Sequence, residues 1–286
     1  MVGVIDVGSN SVRLLLTDEG NFISKDVIIT KLADGLSQTG KLNKESILRT
    51  ASVVDSFKNK AINLGAKNVY VFATAAVRSA SNGLEFVKQV KSLSNLDVDV
   101  ISGDKEALYG ITGVLKGSNG GVIDIGGAST EIIVNNGVKS VYSYSLDLGV
   151  VRLKDICGQD IDFLRKVCKE RVAEYGVVPK DKFYGIGGTA TSLASIALEL
   201  EVYDRTKVHN YFLTKKTVDD IVDKLSKMSV LERENVKGLQ PQRAEVMLGG
   251  AVLMSTVMEY LNIDGITVSE DDNLEGYLIV NNLTSI

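Results

Sequence analysis

Two stretches of eleven residues, far apart in the chain, have nearly the same pattern. Residues 3–13 read GVIDVGSNSVR, and residues 121–131 read GVIDIGGASTE. Each begins with an apolar run that is typical of a buried strand, reaches an aspartate, and continues into small residues that are typical of a hairpin turn. The repeat therefore predicts two equivalent halves, each built around one hairpin.

The rest of the chain alternates between extended and helical patterns. An extended segment is predicted at 27–32, and the apolar spacing between Asn43 and Leu64 predicts an amphipathic helix with Asn43 as its N-cap. Further helices are predicted at 84–93, 104–115, 161–174, 190–200, 218–228 and 243–261. Strands that alternate with helices indicate an α/β fold.

A Gly- and Ser-rich segment at 117–121 precedes the second copy of the repeat and is a candidate hinge. We therefore expect an N-terminal domain of residues 1–117 and a C-terminal domain of residues 118–286. Residues from about 277 to 286 are expected to pack back on the first domain. A ligand cleft between the two halves is the default place for a site.

Composition excludes several classes of chemistry. His209 is the sole histidine, and Cys157 and Cys168 are the only cysteines, so a multi-histidine metal site and a disulfide scaffold are excluded. The net charge is −4, and no block of like charges indicates binding to nucleic acid or to a membrane. No apolar run approaches the ~20 residues of a membrane span, and no signal peptide is evident, so a cytoplasmic location is expected.

The two turns are candidate phosphate-binding loops. Small residues let several backbone amides approach one anion, and Asp6 or Asp124, just before each turn, could hold Mg²⁺ directly or through water. A single turn of this kind is more simply a hairpin turn, but two copies in equivalent places favour ligand binding. The turn residues are Gly8, Ser9, Asn10 and Ser11 in the first copy and Gly126, Gly127, Ala128 and Ser129 in the second.

A third small-residue stretch, GIGGTATS at 185–192, also follows a strand and opens a helix. Its candidate phosphate-binding residues are Gly187, Gly188 and Thr189, because amides at a helix N-terminus attract anions. Tight packing explains such a stretch equally well.

Two carboxylates are candidates for the chemistry. Glu106 begins a line of helix positions that continues with Gly110 and Gly113, where something is expected to approach closely because interior glycines cost about 1 kcal/mol each. Glu106 is either a general base that activates water or an exposed glutamate in the first turn of a helix. Glu131 follows the second turn, and two carboxylates suit metal-assisted phosphate hydrolysis.

Arg78 and Asn82 lie in the stretch ATAAVRSASNG at 73–83. A guanidinium that can bind two phosphate oxygens is the expected partner at such a strand end. An exposed arginine without a ligand is the equally weighted alternative.

These motifs together resemble the family of exopolyphosphatases and guanosine pentaphosphate phosphohydrolases, in the actin-like ATPase superfamily. The resemblance runs nearly end to end through IDVGSNSVRLLL (5–16), ATAAVRSASNG (73–83), ISGDKEA (101–107), IDIGGASTE (123–131), GIGGTATSLA (185–194), VHNY (208–211) and GLQPQRAEVMLGGA (238–251). It implies two RNase H-like domains that flank a central cleft and Mg²⁺-dependent release of terminal phosphate.

The resemblance also implies roles for particular residues. Glu106 takes the general-base position, Asp124 and Glu131 serve the metal and the water, and the two turns bind phosphate with Ser129, Arg78 and Asn82. Family members are often dimers, so a homodimer is expected.

Three departures from the family pattern bear on the substrate. Ala128 stands where a third glycine is usual, so its Cβ would narrow the phosphate's approach. The segment 269–276 reads SEDDNLEG, with acidic residues where the family has a Gly-rich stretch and an arginine. The chain ends at Ile286 without the additional helical domains of long members, which favours a short substrate.

The leading hypothesis is therefore an exopolyphosphatase that acts on short-chain polyphosphate. The alternatives are hydrolysis of the 5′ γ-phosphate of guanosine pentaphosphate, a sugar or acetate kinase of the same superfamily, and a non-catalytic polyphosphate or alarmone sensor. The kinase is disfavoured because no acceptor-binding motif is evident. Ala128 and the acidic residues 270–272 are the only hints of a sensor.

Overall fold

The computed structural model describes residues 1–283, which form a mixed α/β fold with two sheets. The strands are β1 (Val2–Val7), β2 (Ser11–Asp18), β3 (Asn21–Ile29), β4 (Asn68–Ala73), β5 (Val98–Val100), β6 (Asn119–Ile125), β7 (Thr130–Asn136), β8 (Ser140–Leu146), β9 (Phe183–Ile186), β10 (Phe212–Thr214) and β11 (Gly265–Val268). The helices are α1 (Leu36–Thr39), α2 (Lys44–Asn63), α3 (Ala75–Ser79), α4 (Gly83–Ser94), α5 (Gly103–Leu115), α6 (Val150–Cys157), α7 (Ile161–Val172), α8 (Gly187–Ala197), α9 (Arg205–Val208), α10 (Lys215–Ser226), α11 (Val230–Arg233), α12 (Ala244–Leu261) and α13 (Asn273–Val280).

The chain divides into two compact units. Unit 1 comprises Met1–Gly113 and the segment that begins at Asn273, and unit 2 comprises Val114–Asp272. The division falls close to the expected boundary at Gly117. Part of the C-terminal segment that was expected to pack back, residues 284–286, lies outside the described residues.

Unit 1 is built on a five-stranded sheet with the order β3-β2-β1-β4-β5. β1 pairs antiparallel with β2 and parallel with β4. The parallel pair requires a long crossover connection, which contains α2. The Asn43 side chain accepts a hydrogen bond from the Glu45 amide at 2.8 Å, which confirms the predicted N-cap.

Helix α13 contributes to the core of unit 1. The ring of Tyr277 stacks on Phe72 with centroids 5.0 Å apart and meets Tyr109 of α5 edge-on at 5.3 Å. A Cβ at Gly276 would collide with the backbone carbonyl of Tyr109, so the close approach of α5 and α13 depends on this glycine. The close approach to α5 at Tyr109 is therefore made by α13.

Unit 2 is built on a six-stranded sheet with the order β10-β11-β9-β6-β7-β8. The predicted hairpin is β6–β7, and β6 pairs parallel with β9, which leads into α8. Both repeat copies therefore form the same unit, an antiparallel hairpin whose first strand also pairs with a later parallel strand.

The core helix of unit 2 differs from one sequence expectation. The segment Pro241–Leu261 is long and apolar enough by composition to cross a membrane, and about two thirds of it (67%) is buried inside the structure. No apolar run of that length was predicted, because Arg243, Glu245 and Glu259 interrupt the segment. Burial of this extent is typical of a core helix.

Several element boundaries differ from the predictions. The extended segment predicted at 27–32 ends as a strand at Ile29, and the next residues turn back onto the first hairpin. α8 begins at Gly187 rather than near Ala190. Gly187 itself adopts a positive φ of 74°, which glycine tolerates without strain. α6 and β10 are too short to have given a periodic pattern.

Candidate active site

The turn of the first hairpin is closed by one hydrogen bond and held by a neighbouring loop. The Gly8 amide donates to the Ser11 carbonyl at 3.0 Å. The carbonyls of Ser9 and Asn10 accept hydrogen bonds from amides of the loop at 30–33. The amides of Ser9 and Asn10 donate to no carbonyl within residues 1–283, so they are available to an anion.

Asn10 adds a side-chain donor to this turn. Its amide nitrogen Nδ2 is buried and has no hydrogen-bond partner in the described part of the chain. A buried donor without a partner costs about 1–3 kcal/mol. A bound anion would satisfy it.

Asp6, a predicted metal ligand, is paired with an arginine. It lies opposite Arg13 on β2, and Arg13 Nε donates to Asp6 Oδ2 at 3.0 Å, with a second bond from Nη2 to the same oxygen. The carboxylate is 2% exposed, and a buried carboxylate needs such a partner. The structure thus gives Asp6 a structural role, and its role as a metal ligand remains a prediction.

The turn of the second hairpin is closed in the same way and is held by a helix. The Gly126 amide donates to the Ser129 carbonyl at 3.0 Å, and amides at the start of α6 donate to the carbonyls of Gly126 and Gly127. The amides of Gly127, Ala128 and Ser129 donate to no carbonyl within the described residues. Ala128 is 1% exposed, so its methyl group is enclosed by protein.

Two carboxylates lie side by side below this second turn. Asp124 of β6 and Glu131 of β7 are direct cross-strand partners, which places both side chains on one face of the sheet. Glu131 is 2% exposed, and its Oε1 accepts a hydrogen bond from the Ser145 hydroxyl at 2.6 Å. The hairpin thus brings together the two residues that the sequence had assigned to the metal and the water.

The third small-residue stretch begins α8 beside this pair. A Cβ at Gly187 would lie 2.5 Å from Asp124 Oδ1, so glycine is required for the carboxylate to fit. The Thr189 hydroxyl donates to the Ile125 carbonyl at 2.8 Å, which ties α8 to the end of β6. Thr189 therefore has a packing role, and its phosphate contact remains a prediction.

Arg243 lies beside the third small-residue stretch, and no role was predicted for it. A Cβ at Gly188 would collide with its guanidinium group, and its Nε donates to Gln240 Oε1 at 3.2 Å. It is the last residue of a single 3-10 turn, Pro241–Arg243, that leads into α12. The sequence signal for Arg243 is its place in the motif GLQPQRAEVMLGGA at 238–251, which resembles the family pattern.

Glu106 and Arg78, predicted separately, form an ion pair in unit 1. Arg78 Nη1 lies 3.0 Å from Glu106 Oε2 and donates to the Ile101 carbonyl at 2.8 Å. Glu106 is 8% exposed, so the alternative of a solvent-exposed glutamate is wrong. The guanidinium of Arg78 fixes the orientation of the Glu106 carboxylate.

The Asn82 side chain is engaged by backbone. Its Oδ1 accepts from the Leu42 amide at 2.8 Å, and its Nδ2 donates to the Leu42 carbonyl at 3.0 Å. This paired contact ties the start of α4 to the loop before α2. The phosphate role of Asn82 remains a prediction.

The acidic segment at 269–272 is held by basic and hydroxyl groups of unit 2. Asp271 pairs with Arg205 at 2.8 Å and with Lys116 at 3.0 Å. Tyr203 hydrogen-bonds to Glu270, and burial, followed by the Glu270 charge, raises the pKa of the Tyr203 hydroxyl well above its ordinary value. The acidic residues thus have structural partners, which accounts for their presence without a role in substrate binding.

The second hairpin offers the donor set for a divalent cation. Within residues 1–283, no group of three or more His, Cys, Asp or Glu side chains is arranged to hold a metal ion. Mg²⁺, however, is commonly held by one or two carboxylates, with waters and substrate phosphates completing its coordination. Asp124 and Glu131 fit that pattern.

Comparison with known proteins places the chain in a family. Residues 16–284 match the model of the Ppx/GppA phosphatase family. A bifunctional 3-dehydroquinate synthase/phosphatase of Fusobacterium nucleatum is 31% identical over 96% of this chain and 46% of its own length. Exopolyphosphatase 2 of Mycobacterium tuberculosis is 30% identical over 96% of both chains.

Two further comparisons agree with this placement. A guanosine-5′-triphosphate,3′-diphosphate pyrophosphatase of Photobacterium profundum is 28% identical over 96% of this chain and 58% of its own length. The solved structure of a PPX-GPPA enzyme of Aquifex aeolicus matches with a TM-score of 0.78 and 29% identity over 98% of both chains. The fold is a mixed α/β fold with two sheets, as in these family members. The chain belongs to the Ppx/GppA phosphatase family.

Proposed function

We propose that this protein hydrolyses the terminal phosphoanhydride bond of inorganic polyphosphate, with short chains as the preferred substrate and Mg²⁺ as the required ion. The observation that carries the proposal is the acidic pair of Asp124 and Glu131 beside a turn whose amides have no carbonyl partner in the described chain. Carboxylates suit Mg²⁺, and backbone amides suit phosphate. The family and its exopolyphosphatase relative support this substrate.

In the proposed reaction, a water oxygen attacks the terminal phosphorus. The bond from phosphorus to the bridging oxygen breaks, and the shortened chain leaves with that oxygen. Glu106, oriented by Arg78, accepts the proton of the attacking water. Asp124 and Glu131 would hold Mg²⁺, which neutralises charge on the phosphate oxygens.

We further propose that both units contribute to one substrate site, as two RNase H-like domains that flank a central cleft. Each unit supplies one phosphate-binding turn in this proposal. The first turn contributes amides and Asn10, and the second contributes amides and the acidic pair. A cytoplasmic location and a homodimer remain predictions.

Phosphate release from short polyphosphate, long polyphosphate and guanosine pentaphosphate, measured with purified protein and Mg²⁺, tests the proposal. We expect the fastest release from short polyphosphate. Glu106→Gln should lower kcat by about 10²–10⁴-fold, the usual contribution of a general base, while inorganic phosphate still binds.

Glu45→Gln is the matched control, because Glu45 is also a glutamate in the first turn of a helix but is exposed. It should leave kcat unchanged. Wild-type turnover in Glu106→Gln would contradict the general-base role. Phosphorylation of an added acceptor by ATP, with no phosphate released to water, would contradict hydrolysis altogether.

Hydrolysis of guanosine pentaphosphate is the second candidate. A relative that bears that activity in its name covers 96% of this chain. The same reaction chemistry applies, because the bond broken is again a terminal phosphoanhydride. A higher kcat/KM for guanosine pentaphosphate than for either polyphosphate would establish this alternative.

A further inference from the structure

Ser145 lies at the end of a row of side chains that crosses the sheet of unit 2. It is on β8, the edge strand, directly opposite Glu131 of β7. Asp124 is opposite Glu131 on the other side, on β6. Cross-strand partners project on the same face of a sheet. Asp124, Glu131 and Ser145 therefore form one continuous row.

The contact between Ser145 and Glu131 is short and directional. The Ser145 hydroxyl donates to Glu131 Oε1 at 2.6 Å, within the range of hydrogen bonds from a hydroxyl to an ionised carboxylate. Such bonds are about twice as strong as those between neutral groups. The hydroxyl thus makes a specific contact with a buried acid from an exposed strand.

Glu131 needs such a contact because its last torsion angle is intrinsically soft. The terminal torsion of a glutamate has broad, shallow preferences, so the backbone alone does not fix the plane of the carboxylate. The neighbouring backbone is already fixed, because the Tyr175 hydroxyl donates to the Thr130 carbonyl at 3.0 Å and the Thr130 hydroxyl donates to the Leu148 carbonyl at 2.6 Å. Ser145 adds a constraint on the side chain itself.

We propose that Ser145 is a positioning residue that fixes the Glu131 carboxylate for its work on the divalent cation and the water. The inference rests on the proposed function for its effect on hydrolysis, whereas its effect on cation binding can be measured separately. Ser145 touches neither substrate nor cation in this proposal. It acts through Glu131 alone.

Ser143 provides a matched control on the same strand. Because it lies two residues before Ser145, it projects from the same face of the sheet. Like Ser145, it is exposed. Its cross-strand partner is Ile133, which has no carboxylate. A general effect of removing a hydroxyl from β8 would appear in both serine variants, whereas the positioning effect would appear only in Ser145→Ala.

The experiment compares wild type, Ser145→Ala, Ser145→Thr and Ser143→Ala. Binding of Mn²⁺, used as a spectroscopic substitute for Mg²⁺, is followed by electron paramagnetic resonance. Steady-state phosphate release is measured with short polyphosphate. Ser145→Ala should weaken Mn²⁺ binding and lower kcat by about 10-fold each, the usual effect of removing a group that orients a metal ligand, with KM nearly unchanged. Ser145→Thr keeps the hydroxyl and should therefore retain wild-type Mn²⁺ binding and kcat.

The outcomes separate this inference from the proposed function. Equal Mn²⁺ affinity and kcat in Ser145→Ala and wild type would overturn the role of Ser145. An equal loss in Ser145→Ala and Ser145→Thr, or the same loss in Ser143→Ala, would indicate a purely structural effect and would also overturn it. Wild-type protein that binds Mn²⁺ but releases no phosphate would refute the proposed function, and the Mn²⁺ affinities would still decide Ser145. Wild-type protein that binds no Mn²⁺ would overturn both.

Discussion

The two hairpins have the same backbone design, and one cross-strand pair gives them opposite charge patterns. In both, the turn is closed by a glycine amide that donates to a serine carbonyl at 3.0 Å. At the second residue pair from the turn, the first hairpin has Asp6 opposite Arg13, and the second has Asp124 opposite Glu131. One pair is an ion pair, and the other consists of two acids.

This difference assigns different tasks to two equivalent frameworks. Asp6 has its charge balanced by a guanidinium within the same hairpin, so the first hairpin can offer backbone amides without needing a cation. Like charges directly opposite one another in a sheet are unfavourable on their own. A cation held between Asp124 and Glu131 would offset this repulsion, so the second hairpin is the better candidate for the proposed metal.

Converting the second hairpin into a copy of the first should have the largest effect. Glu131→Arg would place a guanidinium opposite Asp124, as Arg13 lies opposite Asp6. We expect kcat for polyphosphate to fall by at least about 100-fold. This exceeds the usual effect of losing a residue that only hydrogen-bonds to a metal ligand, because Glu131 is itself the proposed ligand. Phosphate release and Mn²⁺ binding measure the effect.

The control for this conversion is Glu131→Gln, which removes the charge but keeps the shape of the side chain. Both variants should lose Mn²⁺ binding, while Glu131→Arg keeps a folded unit because the new pair imitates the first hairpin. Circular dichroism and the melting temperature check folding. If Glu131→Arg retained wild-type kcat, the acidic pair would not be the functional difference between the hairpins.

The pairing of residues across each hairpin can be worked out from the sequence, because the length of the turn determines it. Residues seven apart that flank a four-residue turn must face each other, so the opposition of Asp124 and Glu131 follows from the spacing alone. The same arithmetic places Arg13 opposite Asp6, yet Asp6 had been assigned to the metal because the two copies were treated as equivalent. An opposite charge at the equivalent position is the signal that distinguishes them.

The contacts that the sequence did not predict join residues far apart in the chain. Arg243 meets Gly188, and Gly149 packs on the carbonyl of Gly127. Neither contact follows from periodicity or from spacing, since both depend on how helices pack on a sheet. Residues of this kind become visible only when the fold is known.

The support behind the second turn should be the next most sensitive feature. A Cβ on Gly149 would lie 2.5 Å from the carbonyl carbon and oxygen of Gly127, which are backbone atoms that cannot move aside alone. Gly149 has an extended backbone, so the clash is the only penalty. We expect Gly149→Ala to lower the free energy of unfolding by about 1–3 kcal/mol and to reduce kcat, as measured by urea denaturation and phosphate release.

Gly249→Ala is the matched control for that prediction. A Cβ on Gly249, in the interior of α12, would make only an ordinary contact with Leu153 at 3.4 Å. Alanine also has the higher helix propensity, so this variant should be at least as stable as wild type. A Gly149→Ala variant with unchanged stability and kcat would show that the second turn does not depend on the helix behind it.

Ala128→Gly should have the smallest effect. It tests the position in the second turn where the family usually has a third glycine. The Ala128 methyl is enclosed by protein, so its removal should lower KM for short polyphosphate by less than about 10-fold, the low end of what one methyl group contributes. Stability should fall by about 0.4–1 kcal/mol, because glycine gains freedom in the unfolded chain. Ala251→Gly, in the buried part of α12, should lose stability without any change in KM. An unchanged KM in Ala128→Gly would mean that the methyl lies outside the substrate's path.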